Sequence, residues 1–314
     1  EIASCLVGSE MCIRDRHCLF AALSAIVNPG DEIIIAAPYW LSYYEMVKMV
    51  GATPVTVFAG EDQSFKISPA QLEAAITDKT KCFMLNNPSN PTGMVYTKAE
   101  LLEIAEVCVR HDLYILADEI YYKLIYGSTE FVSIAGLSED IKERTLLING
   151  VSKSYAMTGW RIGYCAANKQ IARIMSNFLS HSTGGPSTIS QWAAVEALNG
   201  PQEGIEHMRR AFEERRNYIV SRINSIAGVS CIEPDGAFYV MMNIEKLLGK
   251  TVGGRIIEND DDFATVLLQK SLVAVVPCSG FGIKNFVRWS YAASMEDIKL
   301  GLDRLEALLS EIEL

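Results

Sequence analysis

The sequence predicts an α/β fold, a mostly parallel sheet with helices on both faces, followed by a smaller α+β unit at the C-terminal end. Three observations predict it. Short apolar runs rich in β-branched residues alternate with longer stretches of helical period between residues 32 and 166, the pattern of successive βα units. Beyond residue 166 the texture changes to long helices and then to mixed strands and helices. The chain has 314 residues, 49% of them hydrophobic; at about 150 residues per domain that suits two cored units and is too apolar for disorder.

The elements follow in order. Apolar runs predict strands at 32–36, 54–58, 81–85, 114–117, 146–149 and 163–166. Between them, Ser68-Pro69 sets a cap followed by proline in the first turn, and Thr97-Lys98-Ala99-Glu100 fits a capping box. Residues 169–181, 187–198 and 202–226 read as long helices, the last dense in Glu and Arg and so solvent-facing on one side. Asn199-Gly200-Pro201 marks the expected boundary between a unit at 17–200 and one at 201–314, with residues 1–16 outside both. The second unit carries predicted strands at 237–243, 273–276 and 286–290 and helices at 261–270 and 295–312, the latter capped by Ser294.

Composition excludes several classes. With 28 Lys and Arg against 38 Asp and Glu, the formal charge is −10, and no basic patch offsets it, so neither nucleic acid nor an anionic membrane is an expected partner. The longest apolar runs fall far short of the roughly 18 to 20 residues that span a bilayer. Eight cysteines without a CxxC pair read as reduced thiols of a cytoplasmic protein rather than a disulfide scaffold. There is no GxGxxG, P-loop, HExxH or GxSxG, and the four histidines at 17, 111, 181 and 207 are scattered, so no metal site is expected.

Four polar segments follow predicted strands or interrupt one, and the ends of strands are where ligands bind in an open α/β sheet. They are Asn86-Asn87-Pro88-Ser89-Asn90-Pro91-Thr92-Gly93, then Asp118-Glu119, the stretch from Ser152 to Gly163 that contains Lys153 and Arg161, and Arg288 within Phe286-Val287-Arg288-Trp289-Ser290-Tyr291. Each has a structural reading when taken alone: a turn, a helix cap, a solvated lysine, an arginine paired with a carboxylate. Together they are the parts of a pyridoxal phosphate (PLP) site.

In these segments the chain resembles the class I and II aminotransferases of PLP fold type I, within them the bacterial aspartate (aspartate/prephenate) aminotransferase group. Asn-Pro-Thr-Gly, Asp-Glu-Ile-Tyr and Ser-Lys-x-x-x-Met-Thr-Gly-Trp-Arg-Ile-Gly stand in the family's order and spacing, joined by Pro38-Tyr39-Trp40 and Phe286-Val287-Arg288. The resemblance implies that Lys153 holds the cofactor as an internal Schiff base and later shuttles a proton. It implies that Asp118 faces the pyridine nitrogen, that Tyr121 and Asn90 hydrogen-bond the phenolic oxygen, and that Trp40 stacks on the ring. Arg161 would fork onto the cofactor phosphate, with Ser152 as a hydroxyl donor, and Arg288 would grip the substrate α-carboxylate, with Asn90 and Trp40 beside it.

The reaction so implied is a ping-pong transfer of an amino group from an amino acid, aspartate in the expected case, to a 2-oxo acid such as 2-oxoglutarate, by a cytoplasmic homodimer with a shared active site. Transamination of aromatic or other amino acids, a PLP lyase, or a non-catalytic PLP-binding sensor module would use the same fold. Before His17 the resemblance stops. Family members carry a glycine-rich, phosphate-holding turn there, whereas this chain has Arg14 and Asp15 at the expected glycine positions and Arg16 where relatives place a lysine. Residues 1–16 are therefore expected to be a foreign or misread junction, with the N-terminal part of the large unit missing.

Overall fold

Burial on both faces decides the sheet. Ile33, Ile34 and Ile35 are all buried; the first and third pack in the apolar cluster that contains Leu19 and Leu23, and the second packs with Leu101 and Ile104 on the other side. A strand covered in this way belongs to a parallel sheet between helical layers. The structure, a computed structural model, describes residues 9–12 and 15–310.

The first half runs β1 (Ser9–Cys12), α1 (Asp15–Ile26), β2 (Glu32–Ala37), α2 (Ser42–Met49), β3 (Thr53–Phe58), α3 (Pro69–Ala75), β4 (Thr80–Asn86), α4 (Lys98–Arg110), β5 (Tyr114–Asp118), α5 (Glu139–Arg144), β6 (Thr145–Gly150) and β7 (Gly163–Ala166). These strands form one seven-stranded sheet in the order β1-β7-β6-β5-β4-β2-β3. The five strands from β6 to β3 are parallel, and β7 and β1 are added antiparallel at one edge. Both predicted caps form, and the one at Ser68 proves to be a capping box like that at Thr97: the Ser68 hydroxyl accepts from the Gln71 N–H and the Thr97 hydroxyl from the Glu100 N–H, each answered by the third residue's side chain.

The chain continues through α6 (Lys169–Ser182), α7 (Thr188–Asn199), α8 (Glu203–Ser225), β8 (Tyr239–Asn243), β9 (Thr251–Val252), β10 (Arg255–Ile256), α9 (Asp260–Ser271), β11 (Val276–Pro277), β12 (Phe286–Ser290) and α10 (Met295–Leu309). A three-stranded antiparallel sheet β11-β12-β8 and a two-stranded β9-β10 pair stand apart from the large sheet. Their core gathers Val240, Val287, Phe263 and Leu302 with Ile120, Leu124 and Tyr126 from the segment after β5. The strand expected at 273–276 is a correction. Leu272 turns left-handed (φ 56°) to end α9, and pairing begins only at Val276. The last predicted helix ends at Leu309, and residues 311–312 of that prediction lie outside the described residues.

Among the described residues no helix is long and apolar enough to cross a membrane. Six described cysteines, at 18, 82, 108, 165, 231 and 278, are buried and free of disulfides. Burial pushes the thiols of Cys108 and Cys231 up to about 12.

Just after β5 the fold buries Glu119, 3% exposed. Its Oε1 accepts from the Ser133 hydroxyl at 2.9 Å and the Ile134 N–H at 3.2 Å, yet desolvation dominates and raises its carboxyl to about 8. The native state therefore holds a proton that the unfolded chain, with a carboxyl near about 4.3, gives up. That contribution to stability is complete below the unfolded value and is lost as pH rises through the native one. Glu119→Gln, permanently neutral, is expected to gain on the wild type by about 1.4 kcal/mol per pH unit between pH 5 and pH 8. Urea midpoints at the two pH values check this; an equal difference at both would mean that Glu119 holds no such proton.

Candidate active site

The C-terminal ends of β2, β4, β5 and β6 open onto one side of the large sheet, where the following segments place their polar residues. A cavity of about 190 Å³ lies there, and Trp40, Asn90, Asp118, Tyr121, Lys153 and Arg288 all line it. Six of the eight residues singled out from sequence thus meet at one place, although they come from five separated segments.

Asp118 is the last residue of β5 and is 5% exposed. The Tyr43 hydroxyl donates to its Oδ2 at 2.7 Å, and the Ile120 N–H to its Oδ1 at 3.2 Å. Desolvation raises this carboxyl to about 7, with the charge of Asp15 adding to the rise while the Tyr43 hydrogen bond, the Ile120 N–H and the Lys153 cation oppose it. Such a group binds or releases a proton near neutrality according to what faces it.

Lys153 follows the end of β6, its Nζ 5.5 Å from the Phe238 ring. Ser152 beside it is 1% exposed, and its hydroxyl has no hydrogen-bond partner among the described residues. Arg288 projects from β12. Its Nη1 donates to Asn90 Oδ1 at 2.6 Å, and the guanidinium lies 4.3 Å from the Tyr239 ring centre and 4.9 Å from that of Phe281. Asn90 is fixed in turn by its N–H donating to Asn86 Oδ1 at 2.7 Å. The turn that carries Asn90 seats on the second unit through Gly93 (φ +72°), where a Cβ would come within 2.5 Å of Pro234 and 2.8 Å of the Gly236 carbonyl. Only glycine fits that approach.

The structure does not bring Arg161 to the cavity. It is left-handed (φ 59°), donates from Nη1 to the Thr158 carbonyl at 2.7 Å, and lines a neighbouring cleft of about 450 Å³ with Arg16, His17 and Glu45. Arg16 borders both spaces, its guanidinium 4.8 Å over the Trp40 ring. Arg14 lies outside the described residues.

Sequence reasoning missed two residues. Tyr43 holds Asp118, and Tyr239 lines the cavity with its hydroxyl 3.2 Å from that of Tyr121. Neither stands in a motif the sequence offers, and their partners stand 75 and 118 residues away. The one available signal for Tyr43 is its place three residues past Trp40.

Comparison with known proteins agrees with this geometry. The sequence model of the family described as aminotransferase class I and II matches residues 16–305. The chain is 46% identical over 301 residues to an aspartate aminotransferase of Bacillus subtilis, covering 96% of this chain and 76% of that protein. It is 47% identical over 294 residues to an aspartate/prephenate aminotransferase of Cereibacter sphaeroides, covering 93% of this chain and 74% of the other. The crystal structure of the aspartate aminotransferase of Rhizobium meliloti superposes with a TM-score of 0.95 at 40% identity, over 98% of this chain and 77% of that one. A family match across nearly the whole chain, with relatives and a solved structure this similar, means that this chain belongs to the class I and II aminotransferases, which are PLP-dependent transaminases.

Proposed function

We propose that this chain transfers the amino group of aspartate to a 2-oxo acid, 2-oxoglutarate in the expected pair, by a ping-pong reaction with PLP. The observation that carries the reading is the meeting of Lys153, Asp118, Tyr121, Asn90 and Arg288 in one cavity at the strand ends. The named activity of the relatives supports aspartate as donor. Arg16, a cation on the cavity wall, suits an amino acid with a second carboxylate.

The residues fit the cofactor's ring. Asp118 is a buried carboxylate able to share a proton with a ring nitrogen, Tyr121 and Asn90 offer donors to a phenolic oxygen, Trp40 offers an aromatic face, and the Ser152 hydroxyl is buried without a partner among the described residues. When bound, PLP supplies an aldehyde to take the amino group and a cationic ring to draw electrons from the substrate Cα.

The chain's own residues do the rest. Asp118 holds the proton of the ring nitrogen, and Tyr43 keeps its Oδ2 in place. Lys153 Nζ moves the proton at the substrate Cα. Arg288 binds the α-carboxylate through a planar fork, pinned on one side by Asn90 and held between Tyr239 and Phe281, which orients the Cα–H bond.

The proposal includes a unit boundary near residue 200, supported by the separate apolar cores, and a cytoplasmic location, supported by six described buried thiols outside any disulfide. It also includes a homodimer. On α7 Ile189 is 76% and Trp192 70% exposed, with Val195 and Leu198 beside them, an apolar face suited to a second copy.

Two measurements test this reading. Lys153→Ala is expected to abolish the borohydride-reducible covalent PLP adduct, and Arg288→Lys, which keeps the charge but loses the fork, to lower kcat/KM for aspartate by about 100-fold or more. An adduct that persists at the site without Lys153 would sink the assignment. Sedimentation of the full chain is expected to give twice the monomer mass, and Trp192→Glu to give a monomer; a wild-type monomer with full activity would contradict the shared site.

A further inference from the structure

Asp260, the first residue of α9, is 1% exposed and lies outside the active-site cavity. Taking a carboxyl out of water costs stability unless hydrogen bonds offset the loss, and the bond it makes shows what it holds. Its Oδ2 accepts from the Ser279 N–H at 2.7 Å. Ser279 opens the short turn Ser279–Phe281 between β11 and β12, and this turn reaches the cavity wall. The Phe281 ring centre lies 4.9 Å from the Arg288 guanidinium. The Phe281 carbonyl accepts from the N–H of Tyr39 at 2.9 Å, beside Trp40. Gly282 (φ +81°) ends the turn so close to Tyr39 that a Cβ would come within 2.8 Å of its ring.

Arg288 leans on that turn. Its Nη1 donates to Asn90, but its Nε is buried with no hydrogen-bond partner among the described residues. A single bond at one corner leaves a planar group able to swing about it, so the rings of Tyr239 and Phe281 set the plane. Tyr239 is placed by β8, whose whole length pairs with β12. Phe281 belongs to no strand, and its place rests on how the turn is tied down. The Cys278 N–H, donating to the Phe286 carbonyl at 3.0 Å, ties the turn to β12, and Asp260 ties it to α9.

We propose that Asp260 is a positioning residue for the binding of the substrate α-carboxylate: from α9 it holds the Ser279 turn, and through the turn the Phe281 ring against which the Arg288 fork is set. The inference rests on the function proposed above and adds to it a residue that stands outside the cavity and acts through another.

The PLP-loaded full chain tests this, by steady-state kinetics with aspartate and by calorimetry with succinate, a dicarboxylate that has no amine to react. Asp260→Ala is expected to raise both KM for aspartate and Kd for succinate by about fivefold or more, while kcat and PLP affinity change by less than about twofold. Asp260→Asn keeps an acceptor oxygen at the same reach and is expected to return both constants to within about twofold of the wild type. With Phe281→Leu already present, Asp260→Ala is expected to add nothing to the succinate Kd, because residues that act through one another are not additive. Where Asp260→Ala does not fold, Asp260→Ser, which keeps a polar helix start on a side chain too short to reach Ser279, makes the same comparison. A wild type that binds PLP and turns over aspartate, with a succinate Kd that Asp260→Ala and Asp260→Ser leave unmoved or with additive effects in the double variant, overturns this inference alone. A wild type that binds no PLP or turns over no aspartate overturns the function proposed above, and this inference with it.

Discussion

A carboxylate kept out of water at the end of a central strand is the constraint around which this molecule is arranged. Asp118 has almost no contact with solvent, and a charge in that position persists only where neighbours answer it. One oxygen is met by a tyrosine from the first turn of α2 and the other by the chain's own next loop. Desolvation outweighs those contacts and leaves the carboxyl titrating near neutrality, so in the proposed site a facing ring nitrogen or Lys153 would decide its charge. Shifting the β5 register by one residue would carry the acid to the opposite face of the sheet and empty the site.

The second unit acts on this constraint from outside. Arg288 lies 198 residues from Asn90 and is joined to it by one hydrogen bond, while Gly93 lets the Asn90 turn lie against the backbone around Gly236. In the proposed reaction one unit would receive the substrate carboxylate and the other its reacting carbon. The aromatic rings on either side of the guanidinium fix its plane, so a carboxylate meets a fork already oriented.

Much of this was legible in the sequence where information is local. The six strands of the large sheet that were predicted fall within a residue or so of their observed ends, because buried parallel strands are written as continuous β-branched runs. The caps at Ser68 and Thr97 were equally readable. What was missed lacks local punctuation: α2 begins after Leu41 with no side-chain cap, and α5 is six residues long. The apolar run after Leu272 was misread as a strand, since nothing in it announces that its first residues turn out of a helix. Motif spacing singled out the lysine, the acid and the arginine that line the cavity together. Tyr43 and Tyr239 stayed hidden because their roles depend on partners that only the folded chain brings near, and Arg161, legible as part of a motif, stands in a different cleft.

The buried thiols carry one more consequence. A thiol held in apolar surroundings and far above its ordinary ionisation range offers almost no thiolate to an alkylating reagent. Four such groups, Cys82, Cys108, Cys231 and Cys278, are distributed through both faces of the large sheet and the core of the second unit. Modification of any of them waits on local opening of the element that covers it. The cysteines thus form an internal clock: the order in which they react records which layer of the molecule comes apart first.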